Sequence, residues 1–427
     1  MRLLALLCGV LVFASTGAAY AAPPPKAPAP PDPEWTQFRQ NAGSNPRVAG
    51  GLQVSWRIRT NGGFSSSPTL HDGHVFIGNN IGQFFALNEK TGAVDWSRRF
   101  PSSLMANPIV YKNTLFLGVG NQMGFRSNNG SHAMLVGTGT SSLVAVDSHS
   151  GTQRWAFSLS GSGMPTPAIV NGLLIHHDGA GNVVGLDPQT GARRFVRDLG
   201  GNASMSAILP VGNDRFITTS YHKSAIWELK ANNGATVWEH DFDEHASGIS
   251  DCPPAADGAR VFCDYIAPGF FLRDVNVGNP GQMHAYAVAL ADGKLVWDVP
   301  LETGTVPVSN EAAIPVVSGG MVFLGSSVAP FMHAIEATSG RLVWRTQVHG
   351  VVKGGVVTDA DAVYFGDLSG YLWALGRSDG RVIGVKNMHT VFNVGSPVLD
   401  GRTLVIGTNK GEVLAVPVNE VRSSNDP

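Results

Sequence analysis

Apolar and polar residues alternate along this chain in short runs, and the runs are separated by turns rich in Gly, Asn and Asp. Alternation with a period of two predicts strands with one face buried. One short pattern recurs: "ALNEKTGAVDW", "AVDSHSGTQRW" and "AIEATSGRLVW" each read as apolar strand, polar turn, glycine, then an aromatic residue four positions on. The anchors are Gly92/Trp96, Gly151/Trp155, Gly191/Phe195, Gly234/Trp238, Gly293/Trp297, Gly340/Trp344 and, without the aromatic, Gly380/Gly384. Successive glycines are 59, 40, 43, 59, 47 and 40 residues apart.

Each anchor sits in a longer unit. The first, "SSPTLHDGHVFIGNNIGQFFALNEKTGAVDWSRRF", holds four short strands, with Asp72-Gly73 turning the first into the second. Asn171-Gly172 and Asp400-Gly401 stand at the same turn of other units, where positive φ is needed and these residues adopt it cheaply. Four antiparallel strands every 40 residues or so predict an all-β fold of propeller blades. After Gly380 comes "NVGSPVLDGRTLVIGTNKGEVLAVPV", three strands with no fourth. The missing strand is predicted at the other end, where "QVSWRIRT" (Gln53 to Thr60) matches "AVDWSRRF". The expected fold is therefore an eight-bladed β-propeller over residues 35–418, closed by the N-terminal strand, with a C-terminal tail at 419–427. Closure removes an exposed sheet edge. Trp56, Trp96, Trp155, Phe195, Trp238, Trp297 and Trp344 are expected to pack between blades, since an aromatic there buries about 150–250 Å².

The chain ends and composition narrow the compartment. "MRLLALLCGVLVFASTGAAYAAPPP" has one arginine, an apolar run and a small-x-small site at Ala19-Tyr20-Ala21. This predicts a signal peptide over residues 1–21, too short to anchor in a bilayer. Cys8 lies inside the apolar run and not at a lipidation position. Residues 22–34 are proline-rich and read as an extended linker. The mature chain is expected in the periplasm with no transmembrane span. Net charge is -2 and charged residues make up 15 %, which offers no electrostatic footprint for nucleic acid. Two cysteines remain after cleavage, Cys252 and Cys263, on either side of Asp257-Gly258; their spacing and compartment predict a disulfide across that hairpin. Pro253 and Pro254 predict an irregular strand there.

The two 59-residue intervals carry insertions between the second and third strands, "GVGNQMGFRSNNGSHAMLVGTGTSS" and "YIAPGFFLRDVNVGNPGQMHA". Strand direction alternates, so both insertions share a face with the connections between blades. Long loops on a rigid scaffold are where binding concentrates. His176-His177-Asp178 and the Met-His pairs at His284 and His333 suggest metals, but adjacent strand residues point to opposite faces, so packing is expected instead. There is no Walker loop, Gly-x-Ser-x-Gly, zinc-type spacing or haem-attachment motif.

The repeated pattern resembles that of the pyrroloquinoline-quinone (PQQ)-like propeller superfamily over nearly all of residues 35–418. The run Gly366 to Arg381 ("GDLSGYLWAL…DGR") is similar to the penultimate blade of the outer-membrane protein assembly factor BamB family. That resemblance implies a non-enzymatic periplasmic scaffold acting through protein–protein contacts, with the β-barrel assembly machinery as partner and no cofactor. The stretches "FLGVGNQMGFRSNNG…SSLVAVDSHSGTQRW" and "EWTQFRQNAGSNPRV" are similar to the quinoprotein alcohol dehydrogenases. That second resemblance implies PQQ and Ca²⁺, with Asn121 as the Ca²⁺-binding asparagine; their vicinal cysteine pair and catalytic aspartate have no counterpart here.

Overall fold

A computed structural model of the protein describes residues 35–48, 53–120, 123–128, 132–137, 140–201, 204–220, 223–242, 248–267, 280–307 and 312–426. Eight antiparallel sheets of four strands stand around an axis. Seven are continuous, over residues 69–99, 109–158, 168–198, 209–241, 255–305, 316–347 and 357–387 (blades 1 to 7). Blade 8 takes Val398–Asp400, Thr403–Gly407 and Glu412–Pro417 from the C-terminal end and Trp56–Arg59 from the N-terminal end. Trp56 stands opposite Ala415 and Arg59 opposite Glu412. The ring is thus closed by strand pairing, and Arg59 Nε donates to the largely buried Glu412 carboxylate at 3.0 Å.

The seams between blades follow from the repeated glycine and aromatic. Each turn glycine has φ near +70°, for instance Gly92 at 71° and Gly151 at 69°. Each also lies under an aromatic ring of the preceding blade. A Cβ on Gly151 would come within 2.6 Å of Trp96 Cε3, and one on Gly293 within 2.5 Å of Trp238 Cε3. The indole N–H then donates to a carbonyl of the same turn: Trp56 to Glu89 O at 2.9 Å, Trp96 to Ser148 O at 3.1 Å, Trp155 to Pro188 O at 3.1 Å. Trp238, Trp297 and Trp344 repeat this on Leu290, Ala337 and Arg377, each at 3.0 Å. Phe195 has no N–H to give, and Arg197 Cβ shares its place over Gly234. Blade 7 carries Gly384 where the aromatic would stand. Here the C-terminal helix Val418–Arg422 replaces the ring: a Cβ on Gly384 would lie 2.2 Å from Val421 O. The tail is strapped on by Val385 N–H to Ser424 O at 2.9 Å and by Arg422 to Asp361 at 2.7 Å.

Residues 35–48 run around the axis against the innermost strands. The second residue of an innermost strand donates its N–H to this segment in six blades: Val110 to Trp35 O, Ile169 to Thr36 O, Ala256 to Ala42 O, Val317 to Gly43 O, Leu399 to Pro46 O, and Thr358 to Asn45 Oδ1. In blade 4 the equivalent residue is Pro210, which has no N–H. Edge strands leave such donors open, so the segment satisfies the inner rim and closes one end of the axial channel.

The insertion of blade 2 contains a hairpin, Met123–Asn128 with His132–Gly137. In blade 5 the strands flanking the insertion lengthen to Arg260–Ala267 and Pro280–Ala289. Cys252 and Cys263 are joined by a disulfide, Cα–Cα 6.0 Å. The hairpin register differs from the symmetric one expected. Ala255 pairs with Phe262 and Ala256 with Val261, so Cys252 reaches its partner from the irregular segment that Pro253 and Pro254 keep out of the sheet.

Candidate functional site at the axis

The repeat that builds the blades also builds a ring at the axis. Two residues before each innermost strand stand, in order, Ser67, Asn107, Thr166, Ala207, Pro253, Ile314, Gly355 and Ser396. Over one arc each polar side chain accepts the backbone N–H of the preceding ring member. Gly355 N–H donates to Ser396 Oγ at 2.7 Å, Ser396 N–H to Ser67 Oγ at 3.0 Å, Ser67 N–H to Asn107 Oδ1 at 2.8 Å, and Asn107 N–H to Thr166 Oγ1 at 3.0 Å. Side chains thus lace blades 7, 8, 1, 2 and 3 together. Over blades 4 to 6 the ring is apolar, and Phe38 of the N-terminal segment packs there against Ala207 and Ile314.

The ring encloses a cavity of about 70 Å³, lined also by Met105, Met164, Met205 and Asp251. These four precede their innermost strands by four residues, on the connections between blades. The cavity therefore faces the side of the disc that carries both insertions. Arg39, next to Phe38, is fully buried at the opposite end. Its Nη2 donates to Val356 O at 2.5 Å and Pro397 O at 3.0 Å. Its backbone sits at φ 47°, beside Gln40 at 71°, a conformation that side chains other than glycine rarely hold. Burial alone lowers its guanidinium to about 9.

A second departure from the repeat lies beside the cavity. In the second strand of blades 1, 2, 6, 7 and 8 one position is glycine (Gly78, Gly118, Gly325, Gly366, Gly407), because a neighbouring connection presses on it: Leu104, Gly163 O, Val352, Phe392 and Phe64 respectively. Blades 3, 4 and 5 carry His177, Thr219 and Asp264 at that position, all fully buried. Asp264 Oδ2 accepts the Ala313 N–H at 2.9 Å, and its Oδ1 has no hydrogen-bond partner among the described residues. Burial pushes this carboxyl well above its ordinary range, and the charge of Asp251 adds to the effect. Asp264 therefore favours its protonated form beside Asp251, which stands in the cavity wall. His176 is driven down to about 3, mainly by burial.

The motifs noted in the sequence fall elsewhere. Asn121 lies outside the described residues. His177 Nδ1 meets Thr218 Oγ1 at 2.8 Å. His284 Nδ1 pairs with Asp298 at 2.8 Å, and His333 Nε2 with Glu302 at 2.8 Å. Among the described residues no group of three or more His, Cys, Asp or Glu is placed to hold a metal ion. A tricyclic quinone needs a pocket on the order of 300 Å³ or more, and the axial cavity, with one carboxylate in its lining, does not fit it. Asp251, Asp264 and the ring of Ser67, Asn107 and Thr166 were not singled out in the sequence. The readable signal for Asp264 was the interrupted glycine at a fixed place in the second strand.

Comparison with known proteins places this geometry. The chain is similar to the tetrathionate hydrolase of Acidithiobacillus ferrooxidans, 26 % identical over 377 residues, 84 % of this chain and 74 % of that one. It is also similar to the outer membrane protein assembly factor BamB of Moranella endobia, 21 % identical over 82 % of this chain and 84 % of that one. The quinohemoprotein alcohol dehydrogenase of Pseudomonas putida HK5 shares the fold, with TM-score 0.62 at 12 % identity over 92 % of this chain and 81 % of that one. The family profile described as outer membrane protein assembly factor BamB (PQQ_2) matches residues 48–206 and 282–420. The unmatched stretch between them carries Thr219, Asp251, Asp264, the disulfide and most of the second insertion. With the larger part of the chain matched, this protein belongs to the PQQ_2 family of outer membrane protein assembly factor BamB.

Proposed function

We propose that this protein is an exported, non-enzymatic scaffold that acts in outer-membrane protein assembly through the face bearing the two insertions. Membership of the BamB family carries this reading. The architecture is consistent with it: a ring closed by strand pairing and strapped at both chain ends is rigid, and its loops can vary without disturbing the core. No helix among the described residues is long and apolar enough to cross a membrane. The test is affinity isolation from envelopes of the protein's own host with a C-terminal tag, beside a form whose insertion 121–139 is replaced by a short Gly-Ser turn. Recovery of the barrel-assembly machinery by the intact protein, and its loss in the shortened form, is the expected result. Recovery by neither form, with outer-membrane protein levels unchanged on gene deletion, refutes it.

A second reading is hydrolysis of a sulfur–sulfur-bonded anion of the tetrathionate type. It is favoured by 26 % identity to a tetrathionate hydrolase over 84 % of the chain and by the Asp251–Asp264 arrangement beside the cavity. Purified protein mixed with tetrathionate would then consume it with release of acid, and Asp264→Asn would stop the reaction. Unchanged tetrathionate across the acidic and neutral range removes this reading.

A further inference from the structure

We infer that the axial cavity is a binding site for a small inorganic anion, held by donors of the polar arc above the buried Arg39. The inference rests on the ring and on Arg39 and depends on neither functional reading.

The first observation is the direction of the hydrogen bonds. Ser67 Oγ, Asn107 Oδ1 and Thr166 Oγ1 each accept a backbone N–H from a neighbouring blade. One acceptor site of each is engaged in holding the blades together. Each side chain also keeps its donors: the Ser67 and Thr166 hydroxyl hydrogens and the Asn107 amide N–H₂. All three side chains line the cavity and are at most 5 % exposed. None of these donors has an acceptor among the described residues. The arc therefore offers hydrogens to an acceptor placed in the cavity.

The second observation is Arg39. Its Nε and Nη1 have no hydrogen-bond partner among the described residues. Nη1 lies against Gly355, where a Cβ would come within 1.9 Å of it and 2.9 Å of Ile314 Cγ2. Arg39 stands behind the cavity wall, whose lining includes its neighbours Ile314 and Phe38. A cation removed from water without a counter-charge is strongly unfavourable, and an anion close by is the direct remedy. Three residues of this segment other than glycine have positive φ, Arg39, Gln40 and Ser44. A strained backbone that holds a buried cation at the axis marks a site held for use.

Size and charge select the ligand. A cavity of about 70 Å³ has room for a few waters or one small ion. Asp251 shares the lining from blade 5, across the axis from Ser67 in blade 1, so the anion sits on the side of the polar arc. Donor hydrogens that converge from several blades suit a halide or a tetrahedral oxyanion.

Selenate is the probe, as an oxyanion visible by anomalous diffraction. Crystals of the full-length mature protein soaked in selenate are expected to show an anomalous peak within hydrogen-bond distance of Ser67, Asn107 and Thr166. Calorimetric titration in solution is expected to give one site. Asn107→Asp is the main variant. It keeps the acceptor for the Ser67 N–H and replaces the amide donor with a negative charge, so selenate affinity should fall at least tenfold while the melting temperature changes little. Arg39→Met should give a similar loss; if it fails to fold, Asn107→Asp decides alone. A cavity holding only water in the soaked crystal, binding at crystal concentration only, or equal affinity in wild type and Asn107→Asp would each overturn the proposal.

Discussion

Asp264 and His176 are both fully buried in the second strands of their blades, and burial drives them in opposite directions. The Asp264 carboxyl is raised well above its usual value. Its contribution to stability is therefore full below the ordinary carboxyl pKa and drains away as pH rises towards the raised folded value. His176, lowered to about 3, contributes above the ordinary histidine pKa near 6.5, and that contribution is lost as pH falls towards 3. Asp264→Asn keeps the acceptor for the Ala313 N–H and removes the titration. It should raise the melting temperature at pH 8 by on the order of 1–3 °C and have no such effect at pH 4. His176→Leu should reduce the loss of stability between pH 6.5 and pH 4. Differential scanning calorimetry across pH measures both, and a pH-independent effect of either variant would show that the shifts are misassigned. Asp264 was not legible as a site, because burial at its position comes from a neighbouring blade and not from the strand that carries it.

At the scale of the element, the turn glycine has two separable duties, positive φ and room for a ring. Gly172 has φ 74° and open space where a Cβ would go, whereas Gly151 has φ 69° and Trp96 in that space. Gly172→Ala should cost about 1 kcal/mol, the left-handed penalty alone. Gly151→Ala should cost about 3 kcal/mol, since the Trp96 ring and its N–H bond to Ser148 must also shift. Urea unfolding of the two variants separates the duties; equal losses would mean the ring contact contributes nothing. The glycine and the aromatic four residues later are plain in the sequence. That each aromatic serves the turn of the following blade is a tertiary fact, and so is the helix Val418–Arg422 that takes the place of the ring missing at Gly384. The disulfide belongs to this scale too. Cys252→Ser with Cys263→Ser should cost roughly 2–3 kcal/mol for an 11-residue span, read as a lower urea midpoint that reductant produces in the wild type but not in the variant.

For the whole molecule, closure is the quantity at stake. Trp56–Arg59 covers the edge of Glu412–Pro417, and residues 35–48 cover the inner rim. A chain that begins after residue 60 would expose both. It should lose its single cooperative transition and associate through the open edge, visible as a broadened melt and a shift to larger species on size-exclusion chromatography. An unchanged monomer with an unchanged melt would show that the ring does not depend on its N-terminal strand.

Local periodicity was sufficient for the strands, the turns, the eight-fold count and the split last blade, because hydrophobic alternation and turn chemistry act over a few residues and repeat with each unit. The site was decided only in three dimensions. Ser67, Asn107, Thr166 and Ser396 are unremarkable residues before a proline or an apolar strand, and they become a laced ring because eight separate segments converge on one axis. Arg39 is one arginine among the chain's 30 basic residues, and it becomes a buried cation because the N-terminal segment crosses that axis. Contacts between residues hundreds of positions apart leave no period in the sequence, and the chemistry of this protein is built from them.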